Sequence, residues 1–421
     1  MTSTSVERAL DGVRSLVAPD RTRPAVGIET AAVEIIFEPA NIAELAELVR
    51  KCEADRIPLA PLGAGRTLSQ IRRVPVPLGV SLARMNRIVA YEPDDMTIVL
   101  EAGTSLGEIE RLTAPRRQRL AIDPHDPRVT SIGAAIGAAH AGPLRLSEGT
   151  VRDLLIGIQF VGHDGRIVRA GGRVVKNVAG YDLMKVMTGS FGTLGIVTEA
   201  TFKVRPVAEG YAIAAASFER ATEAFDAARR LRDALSLAHL EVLSRAIAAA
   251  IGGVAKPTVF AGISGSPLEV QHQKSLIART LSEPVEFLDD ASAIAGYQRL
   301  RDARLERATL SARLAVTAAE LPAAIAACDA EFVAHAGSGV AELYLARDLD
   351  ASTAARTVTA WRDAAHRARG NLRLLAAAPE IRKAVDFFDR PPDGALGLMR
   401  RLKQAFDPAA VFNPGCFVAG L

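Results

Sequence analysis

The sequence predicts an α+β protein of two main domains. In the first half, short strands are joined both by a helical crossover and by tight antiparallel turns. Three glycine-rich segments punctuate that half, each next to an apolar strand or small-residue run. From Ala208 onward the texture changes to alanine-rich helical stretches alternating with strands. A chain of 421 residues also exceeds one ordinary core, since domains average ~150 residues.

The elements follow in order. Residues 1–28 form an N-terminal helix or extension. Glu7 and Asp11 break any apolar core a signal peptide would need, so the expected location is the cytoplasm. Val33 to Phe37 reads as a strand, and Asn41 with Glu44 three residues on is a helix N-cap arrangement. Ile42, Leu45, Ala46 and Val49 share one face, and Ile57 to Leu62 is a second strand, so strand, helix and strand predict parallel pairing. Arg87 to Tyr91 and Met96 to Glu101 are short strands about a Pro93-Asp94-Asp95 turn. Ile156 to Val161 and Arg166 to Arg169 flank Asp164-Gly165, which favours a hairpin. Val178 to Met187 suits a short helix, and Gly195 to Val204 a strand. Beyond Ala208, Glu219 to Leu237 is helical, while Thr258 to Gly262 and Val340 to Leu345 are strands. Pro391-Pro392-Asp393-Gly394 marks a break before a last helix, Leu398 to Phe406, and an Asn413-Pro414-Gly415 turn. The expected division is 29–207, 208–390 and a C-terminal segment, 391–421.

Composition removes several function classes. The 51 basic and 48 acidic residues are interspersed, so no basic stripe points to nucleic acid. Cys52, Cys328 and Cys416 form no Cys-x-x-Cys pair, so neither an iron–sulfur site nor a disulfide framework is encoded. The most apolar later run, Ser131 to Leu144, is glycine-broken and far short of the ~20 strongly apolar residues a membrane span needs. No transmembrane segment is expected.

The chemistry lies in the glycine segments. Pro61-Leu62-Gly63-Ala64-Gly65-Arg66-Thr67 follows an apolar strand; glycines there allow main-chain N–H groups to converge on a pyrophosphate, with Arg66 and the Thr67 hydroxyl as further donors. No Gly-Lys-Ser/Thr follows, and the third glycine of a dinucleotide fingerprint would fall at Leu68, so neither a P-loop nor a Rossmann site is present. The run from Thr130 to Gly142, with Ser131, Ile132, Gly133 and Gly137, is built of small side chains on which a flat ring system could lie. Gly189 to Thr198 again leads glycines into a strand through Gly195, Ile196 and Val197. Taken singly, these segments also read as a turn, a close-packed core helix and a strand start. Three together call for one extended ligand contacted through backbone.

These segments, in this order, resemble the flavin fold of p-cresol methylhydroxylase and vanillyl-alcohol oxidase, the PCMH type. The run Val174-Val175-Lys176-Asn177-Val178-Ala179-Gly180-Tyr181-Asp182-Leu183, with Gly142-Pro143, Arg152-Asp153 and the ending Phe412-Asn413-Pro414-Gly415, is similar to the E subunits of bacterial glycolate oxidases. The resemblance implies a two-part FAD-binding domain, a C-terminal α+β cap, and a tail returning to the FAD domain. It implies that Pro61 to Thr67 hold the pyrophosphate, that Ser131, Ile132 and Gly133 meet the flavin side, and that Gly195 to Val197 pass close to it. Gly137 and Gly142 belong to the same flavin-facing run.

Two departures matter. Many such proteins tether flavin to a histidine in the pyrophosphate loop, but none occurs between Pro61 and Gly79, so FAD is expected to be non-covalent. Catalytic relatives acting on 2-hydroxy acids carry His-x-Gly-Asp-Gly-Asn-x-His as part of a metal site. Here the comparable run is His335-Ala336-Gly337-Ser338-Gly339-Val340-Ala341-Glu342, which keeps one histidine, so no metal is expected and His335 reads as structural. The catalytic candidates are His140, Lys176 and Asn413, each with an ordinary alternative as a core histidine, a surface lysine or a turn asparagine.

The resemblance thus implies an FAD subunit that oxidises glycolate to glyoxylate. Its partners would be a sister flavin subunit and an iron–sulfur subunit, which would place it peripherally on the cytoplasmic face of the inner membrane. The alternatives are a non-catalytic assembly or electron-relay subunit, and a stand-alone D-lactate or alcohol oxidoreductase.

Overall fold

The computed structural model describes residue 11 and residues 19–24, 33–63, 76–173 and 180–421. Strands β1 (Thr22–Pro24), β2 (Val33–Phe37), β3 (Leu59–Leu62) and β4 (Val76–Ser81) form a first sheet in the order β1-β2-β4-β3. Helix α1 (Ile42–Ala54) opens at Asn41, whose side chain accepts from the Glu44 N–H at 3.0 Å, and its buried stripe includes Leu45, Leu48, Val49 and Cys52. The strands flanking α1 run parallel, as a helical crossover demands, yet they do not touch. β4 lies between them and is parallel to both.

The second sheet is antiparallel. It contains β5 (Ile88–Glu92), β6 (Thr97–Glu101), β8 (Leu155–Val161), β9 (Ile167–Gly171) and β10 (Ile196–Lys203), in the order β5-β6-β10-β8-β9. A two-residue strand, β7 (Gln118–Arg119), pairs separately with β11 (Arg205–Pro206). The β8–β9 hairpin turns at Gly165, whose φ of 72° is the left-handed conformation its sequence favours. The predicted helix before Met187 is observed as Leu183–Met187, and residues 174–179 lie outside the described residues. Helix α2 (Ile132–Gly137) packs its Ile132, Ala135 and Ile136 into the core shared by these sheets.

The third sheet has eight antiparallel strands: β12 (Gly210–Ser217), β13 (His239–Leu243), β14 (Thr258–Gly265), β15 (Glu286–Asp289), β16 (Leu310–Ala315), β17 (Glu331–His335), β18 (Val340–Leu345) and β19 (Asn371–Ala377). Their order is β15-β12-β14-β13-β17-β18-β16-β19. Side chains alternate between faces along a strand, so two environments result. Leu240, Val242, Leu314, Leu343 and Leu372 share a core with α3 (Ala221–Ala234), α4 (Pro267–Thr280), α6 (Leu321–Ala326) and α7 (Ala351–Arg367). The opposite face carries α5 (Asp290–Arg301) beside β12 and β15, and a row of ionisable side chains.

The chain closes with α8 (Asp393–Phe406), which starts one residue after Pro392 rather than at Leu398, because Pro is well suited to the turn before a helix and Gly394 is tolerated there. The tail then returns to the first sheet. Leu59 donates to Val411 O and its own carbonyl accepts from Asn413 N, both at 2.8 Å, so Phe412 extends the free edge of β3. No helix among the described residues is long and apolar enough to cross a membrane.

Candidate functional site

The three glycine segments, far apart in sequence, meet in space. A Cβ on Gly63 would sit 2.8 Å from the Ala134 Cβ and 3.2 Å from Ser131 Oγ, which joins the first segment to the second. A Cβ on Gly192 would sit 3.1 Å from Pro61 Cγ, which joins the third to the first. The second and third are stitched by backbone bonds: Gly189 N to Ile136 O and Phe191 N to Gly137 O, both 2.9 Å. Ser131 caps α2, its Oγ accepting from Ala134 N at 3.3 Å. Gly133 packs against Ala102, with 3.2 Å left for a Cβ. Pro61 and Leu62 end β3 at this junction. At Gly63, Gly133 and Gly192 the missing side chain lets the segments approach one another, whereas a Cβ on Gly137 would meet nothing within 4 Å.

Other predicted residues fall around this junction. Ala64, Gly65, Arg66, Thr67 and Lys176 lie outside the described residues. Gly195 leads into β10, where the Ile196 and Val197 side chains are buried in the core. Asn413 is fully buried, and its amide donates to Phe191 O at 2.7 Å, fastening the tail to the third glycine segment. Gly142 donates to Asp123 Oδ1 at 3.0 Å, and a Cβ there would lie 2.0 Å from Asp123 O. His140 is half-buried; burial first, then the Arg373 and Arg313 guanidinium groups, depress its pKa to about 4.

Those arginines belong to the polar face of the third sheet, which single-strand inspection of the sequence missed. Its cross-strand register places Leu243, Val333, Glu342, Arg313 and Arg373 in one row over β13, β17, β18, β16 and β19. Arg313 and Arg373 thus stand directly opposite each other. Among the described residues, neither guanidinium has a carboxylate within 4.0 Å; Arg373 lies 5.4 Å from the centre of the Phe191 ring. Burial and, for Arg373, the neighbouring Arg313 lower both, Arg373 to about 10. Glu342, beside Arg313, is already engaged by His125 Nε2 at 3.0 Å and by the Tyr344 hydroxyl at 2.5 Å. Burial works to raise Glu342, yet His125 and Tyr344 outweigh it and hold this carboxyl below the ordinary range.

A small polar chamber opens beside this row, between the sheet, α5 and the segment 141–143. Asp123, His125, Arg301, His335 and Glu342 line it. Tyr297 on α5 donates to Asp123, and burial raises that carboxyl. His335 and Glu342 share the wall, but Glu241 takes His335 and His125 takes Glu342. Among the described residues, no three His, Cys, Asp or Glu side chains converge as metal ligands. The chamber, the arginine row and the glycine junction lie next to one another through His140 and Gly142.

Comparison with known proteins agrees with this layout. Residues 33–171 match the FAD binding domain family, and residues 387–416 match the C-terminal domain of FAD linked oxidases. Glycolate oxidase subunit GlcE of Escherichia coli is 37% identical over 165 residues, covering 38% of this chain and 46% of that one. Subunit GlcD of Bacillus subtilis is 33% identical over 178 residues, covering 42% and 38%. The matched stretch therefore spans less than half the length of either glycolate oxidase subunit. An uncharacterized FAD-linked oxidoreductase of Mycobacterium tuberculosis aligns at 26% identity over 90% of this chain and 89% of its own. In structure, p-cresol methylhydroxylase with substrate bound superposes with a TM-score of 0.77 at 15% identity, covering 99% of this chain and 97% of that one, which shows the shared fold. Residues 33–171 thus match an FAD binding domain, the fold is that of p-cresol methylhydroxylase, and FAD is the cofactor of this chain.

Proposed function

We propose that this chain is the FAD-binding subunit of a glycolate oxidase-type complex that oxidises small 2-hydroxy acids and passes the electrons to an iron–sulfur partner. The observation that supports it most is the pair Arg313 and Arg373, two cations with no carboxylate within 4.0 Å among the described residues, set beside His140. A 2-hydroxy acid needs a cation for its carboxylate, a hydride acceptor facing Cα and a base for its hydroxyl proton. The arginines supply the first and FAD, when bound, the second.

In this proposal the Pro61 to Thr67 loop holds the pyrophosphate. Ser131, Ile132, Gly133, Gly137 and Gly142 flank the flavin, with Gly195, Ile196 and Val197 beyond. His140, neutral beside two guanidinium groups, hydrogen-bonds a substrate oxygen. Asn413 holds the Phe191 carbonyl and so positions the third segment. Lys176 is the further catalytic candidate. The GlcD and GlcE likenesses support a multi-subunit assembly, in which a sister flavin subunit accompanies this chain. With no Cys-x-x-Cys pair of its own, the chain must pass its electrons to oxygen, a soluble acceptor or another protein; in this proposal the acceptor is the iron–sulfur partner, with the complex on the cytoplasmic face of the inner membrane.

The test is anaerobic bleaching of the flavin by glycolate or D-lactate, with the chain alone and with co-expressed partner subunits. Reduction in the complex supports the subunit role, and reduction of the isolated chain a self-contained oxidoreductase. Flavin that stays oxidised in both rejects the 2-hydroxy acid and leaves the assembly or relay role, which the incomplete histidine motif at His335 favours. The absence of a histidine from Pro61 to Gly79 gives a second expectation. Acid precipitation should release all the flavin into the supernatant; colour in the pellet would show a covalent tether.

A further inference from the structure

A buried string of four side chains crosses the polar face behind the chamber. The Tyr211 hydroxyl meets His239 Nε2 at 2.8 Å, His239 Nδ1 meets Glu241 Oε2 at 2.6 Å, and Glu241 Oε1 faces His335 Nδ1 at 3.3 Å. His239 and Glu241 are almost completely shielded from solvent, whereas His335 ends the string at the chamber wall. Burial opposes the charge on Glu241, but the two imidazoles outweigh it and keep the carboxyl below its ordinary range. An ionised carboxylate only accepts hydrogen bonds, so it fixes a proton on Nδ1 of both histidines. His239 Nε2 then accepts from Tyr211, and His335 Nε2 is left with its lone pair and no hydrogen-bond partner among the described residues.

The other two imidazoles near the substrate are worse acceptors. His125 Nε2 is committed to Glu342, and His140 faces two guanidinium groups that oppose a further positive charge. Around His335 the charged and titratable groups are Glu241 on β13, Glu342 on β18, Asp123 and His125 on the loop before α2, and Arg301 on α5. The carboxylate in contact with its ring holds the imidazole in one tautomer and orientation, as in other carboxylate–histidine pairs.

We propose that His335 is the catalytic base for the 2-hydroxy acid, with Glu241 as its positioning residue and His239 and Tyr211 holding Glu241 in place. The proposal rests on the function given above. The substrate C2–H bond breaks and its electron pair leaves as hydride to FAD. The hydroxyl O–H bond breaks, its proton goes to His335 Nε2, and its electron pair forms the carbonyl of the 2-oxo acid. The acid loses two electrons and FAD gains them.

Stopped-flow reduction of the holoprotein, in the complex if bleaching requires it, tests the assignment. H335Q should reduce its flavin about 10²–10⁴-fold more slowly, the usual contribution of a general base, with the saturating substrate concentration little changed. H335A should regain rate with added imidazole, which a structural role does not predict. In E241Q the ring loses the acceptor that fixes its tautomer and orientation, so the flavin should be reduced more slowly with the saturating substrate concentration little changed, and the ¹⁵N signals of His335 should report a mixture of tautomers. In wild-type protein with ¹⁵N-labelled histidine, the neutral ring of His335 should carry its proton on Nδ1 and show the Nε2 resonance of an unprotonated nitrogen. Wild-type rates in H335Q, or a protonated Nε2, overturn the base assignment and leave the proposed function standing. Wild-type flavin that no 2-hydroxy acid bleaches, with or without partners, overturns the function itself and the base role with it.

Discussion

Replacing Arg373 with methionine is expected to weaken binding of a 2-hydroxy acid to the holoprotein while raising its melting temperature. The two effects have one cause. Arg373 stands opposite Arg313 across β16 and β19, and neither has an acidic partner within 4.0 Å among the described residues. Like charges directly opposed on neighbouring strands cost about 0.2–1 kcal/mol, and partial burial adds to that. Methionine keeps the length and can still lie against Phe191, so removing the charge relieves repulsion without opening a cavity. A carboxylate bound between the arginines, by contrast, loses a charge-assisted partner. Such a loss costs ~2–5 kcal/mol, so affinity should fall by about 30-fold or more. Titration of the flavin spectrum with a 2-oxo acid, which binds without reducing the flavin, measures the affinity, and thermal unfolding measures the rest. Unchanged affinity with a lower melting temperature would assign Arg373 to the fold and remove it from the site.

The D407N substitution should release the tail from the FAD domain. The Asp407 side chain is completely buried, and its carboxylate accepts from Val411 N at 2.9 Å, Phe412 N at 2.8 Å and Lys403 Nζ at 2.6 Å. Lys403 also donates to Thr193 O at 2.8 Å and Phe412 O at 2.9 Å, so one ammonium group ties α8, the tail and the third glycine segment together. Burial lowers the Lys403 pKa, and Asp407 counters that effect. Asparagine leaves this cation without a counter-ion and turns an amide N–H₂ toward groups that can only donate. Breaking a buried pair in this way costs about 3–5 kcal/mol. Phe412 would lose its place beside Leu59, and Asn413 its hold on Phe191, so FAD should also be retained less well. The urea midpoint and the ratio of flavin to protein absorbance report the two losses. Full FAD occupancy with a stability change below about 1 kcal/mol would show that the tail is not anchored through this pair.

Several elements were legible because their causes are local. The Asn41 cap with Glu44, the hairpin at Gly165 and the tail turn at Asn413 follow from neighbouring side chains and permitted backbone angles. The glycine segments were legible for a related reason, since glycine matters wherever main chain must approach closely. The polar face was overlooked although it left a trace. His239 and Glu241, His335, Glu342, Arg313 and Arg373 each interrupt an apolar strand at alternate positions. Period-two alternation with charges on one face was the signal, but no strand alone says that the charged sides line a common chamber. His335 reads as structural in the sequence because its neighbours at positions 338, 340 and 342 do not complete a metal site; that Glu241, from a different strand, orients its ring is visible only in the packed sheet.

By itself the sequence determined the class of fold, the order of its elements and the places where main chain approaches main chain closely, because these depend on propensity, patterning and backbone freedom over a few residues. Tertiary structure alone decided that β4 enters between β2 and β3, that Arg313 faces Arg373, and that His125 reaches Glu342 across 217 positions. Strand register and domain contact arise from burying many distant apolar side chains at once, so the charges carried on the opposite faces are brought together only when the whole chain has packed.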